Sequence, residues 1–257
     1  MQEISRMNSF TQTSLATFGR YLSLMGRVLS RPERMRVYGR EFMCEIEKLG
    51  YNSIGIVGLI SLFIGAVITV QIRYNIQSAW MPNWVVGFVT REIMLLEFSS
   101  SIMCLILAGK VGSNIASEIG TMRVTQQIDA LEIMGVNSAC YLILPKMMAL
   151  MCFIPVLVTF SIFFGILGAY ATCWFTGIMT ATDLEAGLLY DFVPYYVLCS
   201  YIKSLCFAFI ISTVSAFYGY TVKGGSLNVG KASTDSVVSC SVLILFADLI
   251  LTNLLST

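Results

Sequence analysis

The chain has 257 residues, of which 56% are hydrophobic and 12% are charged, and its net charge is +1. Soluble domains carry about 25% charged residues, so this composition indicates a membrane protein. The sequence contains no His and has no C-x-x-C pair among its eight Cys. These features argue against a His-based catalytic site and a transition-metal site, and the small net charge does not favour nucleic-acid binding.

The first 50 residues are cationic and amphipathic. Three Arg lie seven residues apart, and apolar residues recur at spacings of three and four, namely Leu15, Phe18, Leu22, Met25 and Leu29. A basic stripe beside an apolar stripe is typical of helices that lie in the membrane surface. We therefore predict an N-terminal amphipathic interfacial segment over 1–50 and leave open a soluble helix packed on a partner.

Hydropathy predicts five transmembrane helices in the rest of the chain, since a span needs about 20 mostly apolar residues. Their approximate bounds are 51–72, 92–110, 147–170, 193–218 and 237–255. The third apolar stretch continues without a charge to Thr182, which is too long for one crossing. Either a second span or an apolar hairpin would account for the excess.

The distribution of Lys and Arg predicts the orientation of the chain. If the N-terminus is cytoplasmic, most cations fall on the cytoplasmic side, and the outer side keeps only Arg73 and Arg91. The three Trp (Trp80, Trp84, Trp174) then lie near the outer interface, which Trp side chains prefer. Five spans with a cytoplasmic N-terminus and a C-terminus on the outer side fit this pattern.

The stretch GGSLNVGKAS, residues 224–233, contains seven of the eight positions of a P-loop. Ala232 stands where a Ser or Thr would bind magnesium. A working P-loop joins a strand to a helix, and here the match lies between two predicted spans. We interpret it as coincidence, so any ATP that drives this protein is hydrolysed by a partner.

The loop between the second and third spans has two distinct parts. Small residues recur every four positions in the first part, at Ala108, Gly112, Ala116 and Gly120, which predicts close packing of helices. Residues 121–134 mix charged and apolar side chains, which is typical of a short amphipathic helix. That helix either covers the bundle or docks on another protein.

Several of these segments together resemble a known family. The segments are AGKVGSNIASEIGTMRVTQQIDALEIMGV with the following YLILPKMMA, then IKSLCFAF, GGSLNVGKASTDSVV and the AD of Ala247–Asp248. They look like the signature of the MlaE/YrbE family, the permease subunits of ABC transporters that move phospholipids with MCE-domain proteins. The resemblance extends from about Tyr51 to the C-terminus.

The resemblance implies an all-α integral membrane protein that works as a homodimer in the bacterial inner membrane. It implies a separate ABC ATPase that uses ATP, a periplasmic MCE-domain protein and a phospholipid substrate, with no cofactor bound by this chain. The family's coupling helix corresponds to about 118–134 here. The residues expected to contact the ATPase are Glu118, Thr121, Met122, Arg123, Gln127 and Asp129.

Three charges lie inside predicted spans, where each costs about 2.5–3.5 kcal/mol at a helix centre unless it is partnered. Lys203 and Asp248 are expected to form an intramembrane ion pair. Glu97 corresponds to the Glu of a family R-E-L-G-P motif, although Leu96, Ser99 and Ser100 replace its Arg, Gly and Pro. The residues predicted to line a lipid cavity between protomers are Glu97, Gln71, Leu62, Val67, Leu243 and Phe246.

The sequence thus predicts a permease subunit, not an enzyme, that moves phospholipids between the inner membrane and an MCE-domain protein and so maintains outer-membrane lipid asymmetry. An ion-coupled secondary transporter that uses Glu97, Lys203 and Asp248 is the main alternative. Such transporters are built from repeats and broken helices, and no convincing internal repeat is present. A non-transporting scaffold would leave the coupling-type segment unexplained.

Overall fold

The computed structural model describes residues 16–29, 35–76 and 82–256, and no strand occurs within these ranges. The first helix, α1, covers 16–28. The others are α2 (Met35–Glu45), α3 (Asn52–Asn75), α4 (Trp84–Ile93), α5 (Met103–Leu107), α6 (Ser113–Val124), α7 (Gln127–Ile133), α8 (Ser138–Thr176), α9 (Ala181–Leu189), α10 (Pro194–Tyr220) and α11 (Ser226–Ser256). Leu15, Arg34 and Trp80, which the sequence patterns used, lie outside the described residues.

Five helical units of the described chain are long and apolar enough to cross a membrane, which confirms the predicted number. They cover Tyr38–Asn75, Trp84–Val124, Ser138–Thr176, Pro194–Tyr220 and Ser226–Leu255. Because α8 is one uninterrupted helix of 39 residues followed by the short α9, the long apolar stretch is one span with a helical connection. We call the two ends of the bundle the α7 end and the α9 end.

Two of these units are less regular than a simple span. π-helical turns at Ile46–Tyr51, Met94–Ile102 and Ala108–Gly112 join α2 to α3, α4 to α5 and α5 to α6. Such turns are rare and often occur at functional sites. The second unit therefore runs as one helical column from Trp84 to Val124, and it begins earlier and ends later than the hydropathy pattern predicts.

The predicted small-residue face packs closely, as expected. Ala108 and Ala116 are fully buried. A Cβ on Gly112 would lie 2.8 Å from Ser215 Oγ of α10, and one on Gly120 would lie 3.1 Å from Val229 Cγ1 of α11. The face thus lets α6 pack against both of the last two spans.

The N-terminal helix α1 packs on the bundle through a face that the sequence pattern did not identify. Leu24 and Val28 are buried, and Tyr21 donates a hydrogen bond of 2.9 Å to Thr213 Oγ1 of α10. Of the predicted apolar stripe, Met25 is buried, whereas the other described members (Phe18, Leu22, Leu29) are exposed. One apolar face of α1 therefore contacts protein and a second faces outward.

At the α9 end, Arg91 stabilises the connection between α9 and α10 through hydrogen bonds. Its side chain is buried, forms a 2.6 Å ion pair with Glu92 and donates to the carbonyl oxygens of Leu188 (2.8 Å) and Tyr190 (2.7 Å). The five N–H donors of an Arg suit such a set of acceptors. This partnering explains why the helix begins before residue 92, where the charges had suggested a loop.

Candidate functional site

A charged cluster lies inside the membrane-spanning part of the bundle, around Lys203. This side chain is only 2% exposed, and its Nζ lies 3.0 Å from Asp248 Oδ1 and 3.5 Å from Glu97 Oε1. It also donates to Thr252 Oγ1 (2.7 Å) and to the carbonyl oxygen of Leu96 (3.1 Å). The structure therefore brings together all three of the intramembrane charges that the sequence singled out.

The three charges of this cluster differ in exposure. Leu96 and Glu97 belong to the π-helical turn at Met94–Ile102, and the Leu96 carbonyl also accepts from Ser100 Oγ. The Glu97 side chain is 47% exposed, whereas that of Asp248 is 15% exposed. Lys203 and Asp248 thus connect α10 to α11, and Glu97 is the most exposed of the three charges.

The six residues predicted to line a lipid cavity lie in separate places within one chain. Leu62, Val67 and Gln71 line a groove of about 520 Å³ between α3 and α8. Leu243 lines a different groove, between α1, α10 and α11. Phe246 is exposed on α11, and Glu97 lies beside Lys203. The structure describes a single protomer, in which these side chains form no common cavity.

Residues 121–134, which we call the elbow, are not the single amphipathic helix that the sequence predicted. The column ends at Val124, Gln126 has a positive φ of 61°, and α7 then runs in a new direction. The Thr125 hydroxyl donates to the Thr121 carbonyl oxygen at 2.9 Å, as the backbone N–H of Thr125 also does, and a second bond of this kind often bends a helix. A 2.6 Å ion pair between Arg123 and Asp129 closes the bend.

The tip of the elbow carries two apolar side chains that the sequence analysis did not single out as contact residues. Ile133 is 88% exposed and Met134 is 68% exposed, next to Gly135 with a φ of +80°. Exposed apolar groups ringed by polar ones are typical of protein contact surfaces. The sequence did contain one signal for these two residues, since they stand at the end of an amphipathic stretch and directly before a Gly.

Glu118 does not belong to the exposed elbow. Its carboxylate lies 2.8 Å from Lys48 Nζ and 2.9 Å from Lys146 Nζ, and Lys146 in turn lies 2.5 Å from Glu45 Oε1. This four-charge cluster joins α6 to α8, to the end of α2 and to the π-helical turn at Ile46–Tyr51. The sequence analysis missed Glu45, Lys48 and the burial of Lys146 because the partners are far apart along the chain.

The other predicted coupling residues all lie on α6 or α7. Arg123 and Asp129 bind one another, as described, and the guanidinium of Arg123 also lies 5.8 Å from the centre of the Tyr220 ring. Thr121 and Gln127 are exposed, and Met122 is partly buried against the core. Five of the six predicted residues therefore lie within the elbow, and their contact with an ATPase stays a prediction.

Behind the elbow, Glu132 connects α7 to α8 and α10. Its Oε1 accepts hydrogen bonds from Tyr220 Oη (2.9 Å) and from Ser138 Oγ (3.0 Å), and Arg27 lies 4.0 Å away. The two hydroxyl donors favour the ionised carboxylate and hold the pKa of Glu132 below its ordinary value. The link stabilises the elbow while the carboxylate is charged.

Replacing Glu132 with Gln is expected to weaken the fold in a pH-dependent way. Because the pKa is lowered on folding, the stabilisation is present above the unfolded value of about 4.3 and is lost as the pH falls below it. The stability difference between the native chain and Glu132→Gln should therefore be measurable by thermal unfolding at pH 7 and shrink toward pH 3.5. Glu185→Gln, on the exposed surface of α9, serves as the control; an equal difference at both pH values would contradict the assignment.

The GxxxxGK match lies mostly within a helix. Because α11 begins at Ser226, residues 226–231 form its first turns. Within the stretch 224–233, Gly224 is the one residue with a positive φ, of 105°. Asn228 Nδ2 donates to the Lys223 carbonyl oxygen at 2.8 Å and closes this turn. A P-loop needs these residues as an open loop around a phosphate, which the helix does not provide.

Comparison with known proteins identifies the family. The family model described as permease MlaE matches residues 42–254. A "Probable ABC transporter permease protein" of Rickettsia bellii is 34% identical over 206 residues, which cover 80% of this chain and 79% of the relative. The "Probable ABC transporter permease protein ycf63" of Porphyra purpurea is 34% identical over 224 residues, or 85% of this chain and 82% of the relative.

A plant protein is also similar. The "Protein TRIGALACTOSYLDIACYLGLYCEROL 1, chloroplastic" of Arabidopsis thaliana is 28% identical over 242 residues, which cover 90% of this chain and 65% of that protein. Because the family model covers most of the chain and relatives above 30% identity span most of its length, the chain belongs to the MlaE family of ABC transporter permeases.

Proposed function

We propose that the chain is the membrane subunit of a phospholipid transporter, works as a homodimer in the bacterial inner membrane and is driven by a separate ABC ATPase. The elbow carries this proposal, because a permease that does not hydrolyse ATP needs a surface that transmits force. Ile133 and Met134 supply the apolar part of such a surface, and the Arg123–Asp129 pair gives it polar groups and a fixed bend.

The elbow is connected to the transmembrane helices by polar links. Within the elbow, Glu132 bonds to Ser138 of α8 and to Tyr220 of α10. About one turn before the elbow on α6, Glu118 bonds to Lys146 of α8 and to Lys48 of the π-helical turn at Ile46–Tyr51. A displacement of the elbow would therefore act on α8 and α10 directly and on Lys48 through α6. This arrangement supports a mechanism in which ATP hydrolysis in the partner moves the elbow and the helices that line the lipid path.

Phospholipid is the substrate that the observations favour. The groove between α3 and α8 is apolar except at its Gln71 end, and Glu97 is a partly exposed charge at membrane depth. Apolar walls with few polar groups suit acyl chains beside a head group. The name of the plant relative refers to a glycerolipid. Lipid exchange with a periplasmic MCE-domain protein, in support of outer-membrane asymmetry, follows the family resemblance.

An ion-coupled mechanism remains the second candidate, because three charges cluster inside the membrane. In the structure Lys203 is held by four oxygen atoms from two helical segments, α11 and the π-helical turn at Met94–Ile102. An ion relay needs a group that changes partners during transport, and such complete pairing favours a structural role. ATP dependence separates the two mechanisms.

The test of docking uses charge at the tip of the elbow. The chain is co-expressed with the ATPase encoded beside it, and the ATPase retained after affinity purification is measured. An Asp at Ile133 or Met134 is expected to lower retention about tenfold, because burying an unpaired carboxylate at a contact costs more than about 1.4 kcal/mol.

The matched control is Leu189→Asp, which changes an equally exposed Leu at the α9 end. It should retain the ATPase as well as the native chain does. If the ATPase is retained equally by Ile133→Asp, Met134→Asp and the control, the elbow is not the docking surface.

A further inference from the structure

A second apolar groove, which the proposed transport mechanism does not use, lies between α1, α10 and α11. It has a volume of about 600 Å³ and its walls include Thr17, Phe18, Tyr21, Ile210, Phe217 and Leu243. Ligand pockets of roughly 300–1,000 Å³ enclose most of a drug-sized molecule, so this groove is large enough for an acyl chain. We call it the α1 groove.

The lining of the α1 groove suits hydrocarbon. Its hydroxyl groups are paired within the protein: Tyr21 donates to Thr213 Oγ1 at 2.9 Å, and Tyr218 Oη lies 2.7 Å from Ser239 Oγ. Because these polar groups already have hydrogen-bond partners, an apolar ligand in the groove would leave none of them unsatisfied. Because α10 and α11 are both long and apolar enough to cross a membrane, the groove lies beside membrane-spanning helices, where the acyl chains of lipids are available apolar molecules.

The guanidinium of Arg20 lies next to the α1 groove. Arg20 is exposed on α1, and its Nη2 lies 3.3 Å from Oγ1 of the groove residue Thr17. Its Nε bonds to the Ala16 carbonyl oxygen, which holds the guanidinium at the start of the helix. Arg presents several donors in a planar fork that matches phosphate oxygens. An apolar groove with a guanidinium at one end therefore matches a phospholipid, whose acyl chain is apolar and whose phosphate is anionic.

We propose that the α1 groove binds one anionic phospholipid of the surrounding membrane, with an acyl chain between α1, α10 and α11 and the phosphate at Arg20. The bound lipid holds α1 against the bundle and is distinct from the transported lipid. The proposal does not depend on the transport function, since it requires only a bilayer around the chain.

The test places a fluorescent reporter in the α1 groove of the full chain, reconstituted in lipid nanodiscs. Phe18→Trp puts an indole on the groove wall, and Leu22→Trp puts one on the neighbouring outward face of the same helix. Bromine on an acyl chain quenches Trp fluorescence on contact. Brominated phosphatidylglycerol is titrated into phosphatidylcholine, and the signal of the parent chain is subtracted to remove its native Trp.

The expected result is saturable quenching of Phe18→Trp at a few per cent of the anionic lipid, and quenching of Leu22→Trp that only follows the bulk fraction. Brominated phosphatidylcholine should quench both positions alike. Adding Arg20→Glu to Phe18→Trp should raise the half-saturating fraction at least fivefold, whereas Arg40→Glu, on the exposed surface of α2, should not change it.

Two results would overturn the proposal. Quenching of Phe18→Trp that rises in proportion to the bulk fraction, as for Leu22→Trp, would mean that bulk lipid or another part of the chain occupies the groove. If the quenching is saturable but Arg20→Glu leaves it unchanged, Arg20 does not bind the lipid phosphate. Neither result bears on ATPase docking at the elbow, so the two proposals fail separately.

Discussion

Replacing Gly65 with Ala is expected to loosen the packing of α3 on α8 and to lower the thermal stability of the chain strongly. An added Cβ would lie 2.0 Å from the carbonyl oxygen of Gly165 and 2.7 Å from its carbonyl carbon. Because both atoms belong to the backbone of α8, no side chain can move aside and the two helices must separate. The nearby hydrogen bond of 2.9 Å between Ser61 and Ser161 would be stretched with them.

Overpacking of this kind costs typically 1–3 kcal/mol and occasionally more, and we expect about 3 kcal/mol or more here. The measurement is the midpoint of thermal unfolding in detergent, followed by size-exclusion chromatography. Gly55→Ala on the same helix is the matched control, since its Cβ would meet nothing within 4 Å. Equal midpoints for the two variants would contradict the close approach of α3 and α8.

Replacing Lys203 with Met is expected to have the second large effect. The substitution keeps most of the side-chain volume but removes the cation from between Asp248 and Glu97, and it removes one of the side-chain donors to the Leu96 carbonyl. Breaking a buried ion pair from one side costs about 3–5 kcal/mol, because the remaining charge stays buried without a partner.

A second substitution distinguishes this cause from lost packing. Adding Asp248→Asn to Lys203→Met removes the isolated carboxylate and should recover a large part of the lost thermal stability. Lys231→Met, at an exposed position near the start of α11, is the control and should have little effect. If Asp248→Asn gives no recovery, the ion pair is not what makes Lys203 necessary.

The number of spans was predictable because the membrane imposes it. A bilayer demands long apolar helices, and hydropathy measures that property directly. The small-residue face at Ala108–Gly120 was predictable for a similar reason, since Gly and Ala every four residues fall on one side of any helix. Both inferences depend only on residues that are close together in sequence.

The ends of the spans were less predictable, because they depend on distant partners. Arg91 and Lys146 resemble loop residues in the sequence. Within the bundle, however, Arg91 donates hydrogen bonds to carbonyl oxygens at the end of α9, and Lys146 donates to the carboxylates of Glu45 and Glu118. These partners are 28 to 101 residues away. A single sequence carries no direct signal for such pairs.

The candidate sites show the same division. The charges at Glu97, Lys203 and Asp248 were visible as exceptions in apolar stretches, and the structure brings them into one cluster. The bend in the elbow could not be predicted from the sequence. Its left-handed backbone conformation occurs at Gln126, and Gln is a residue type that favours helices. Which apolar side chains the bend exposes, Ile133 and Met134, therefore required the structure.

The proposed function requires that ATP hydrolysis by a partner drives phospholipid movement through this permease. The deciding experiment reconstitutes the chain with its ATPase in liposomes that contain a fluorescent phospholipid, and follows the transfer of that lipid to an acceptor lipid-binding protein. Transfer is expected to require both ATP and the native elbow, and to be lost in Ile133→Asp. Transfer that proceeds without ATP and follows an imposed ion gradient would contradict the proposed function.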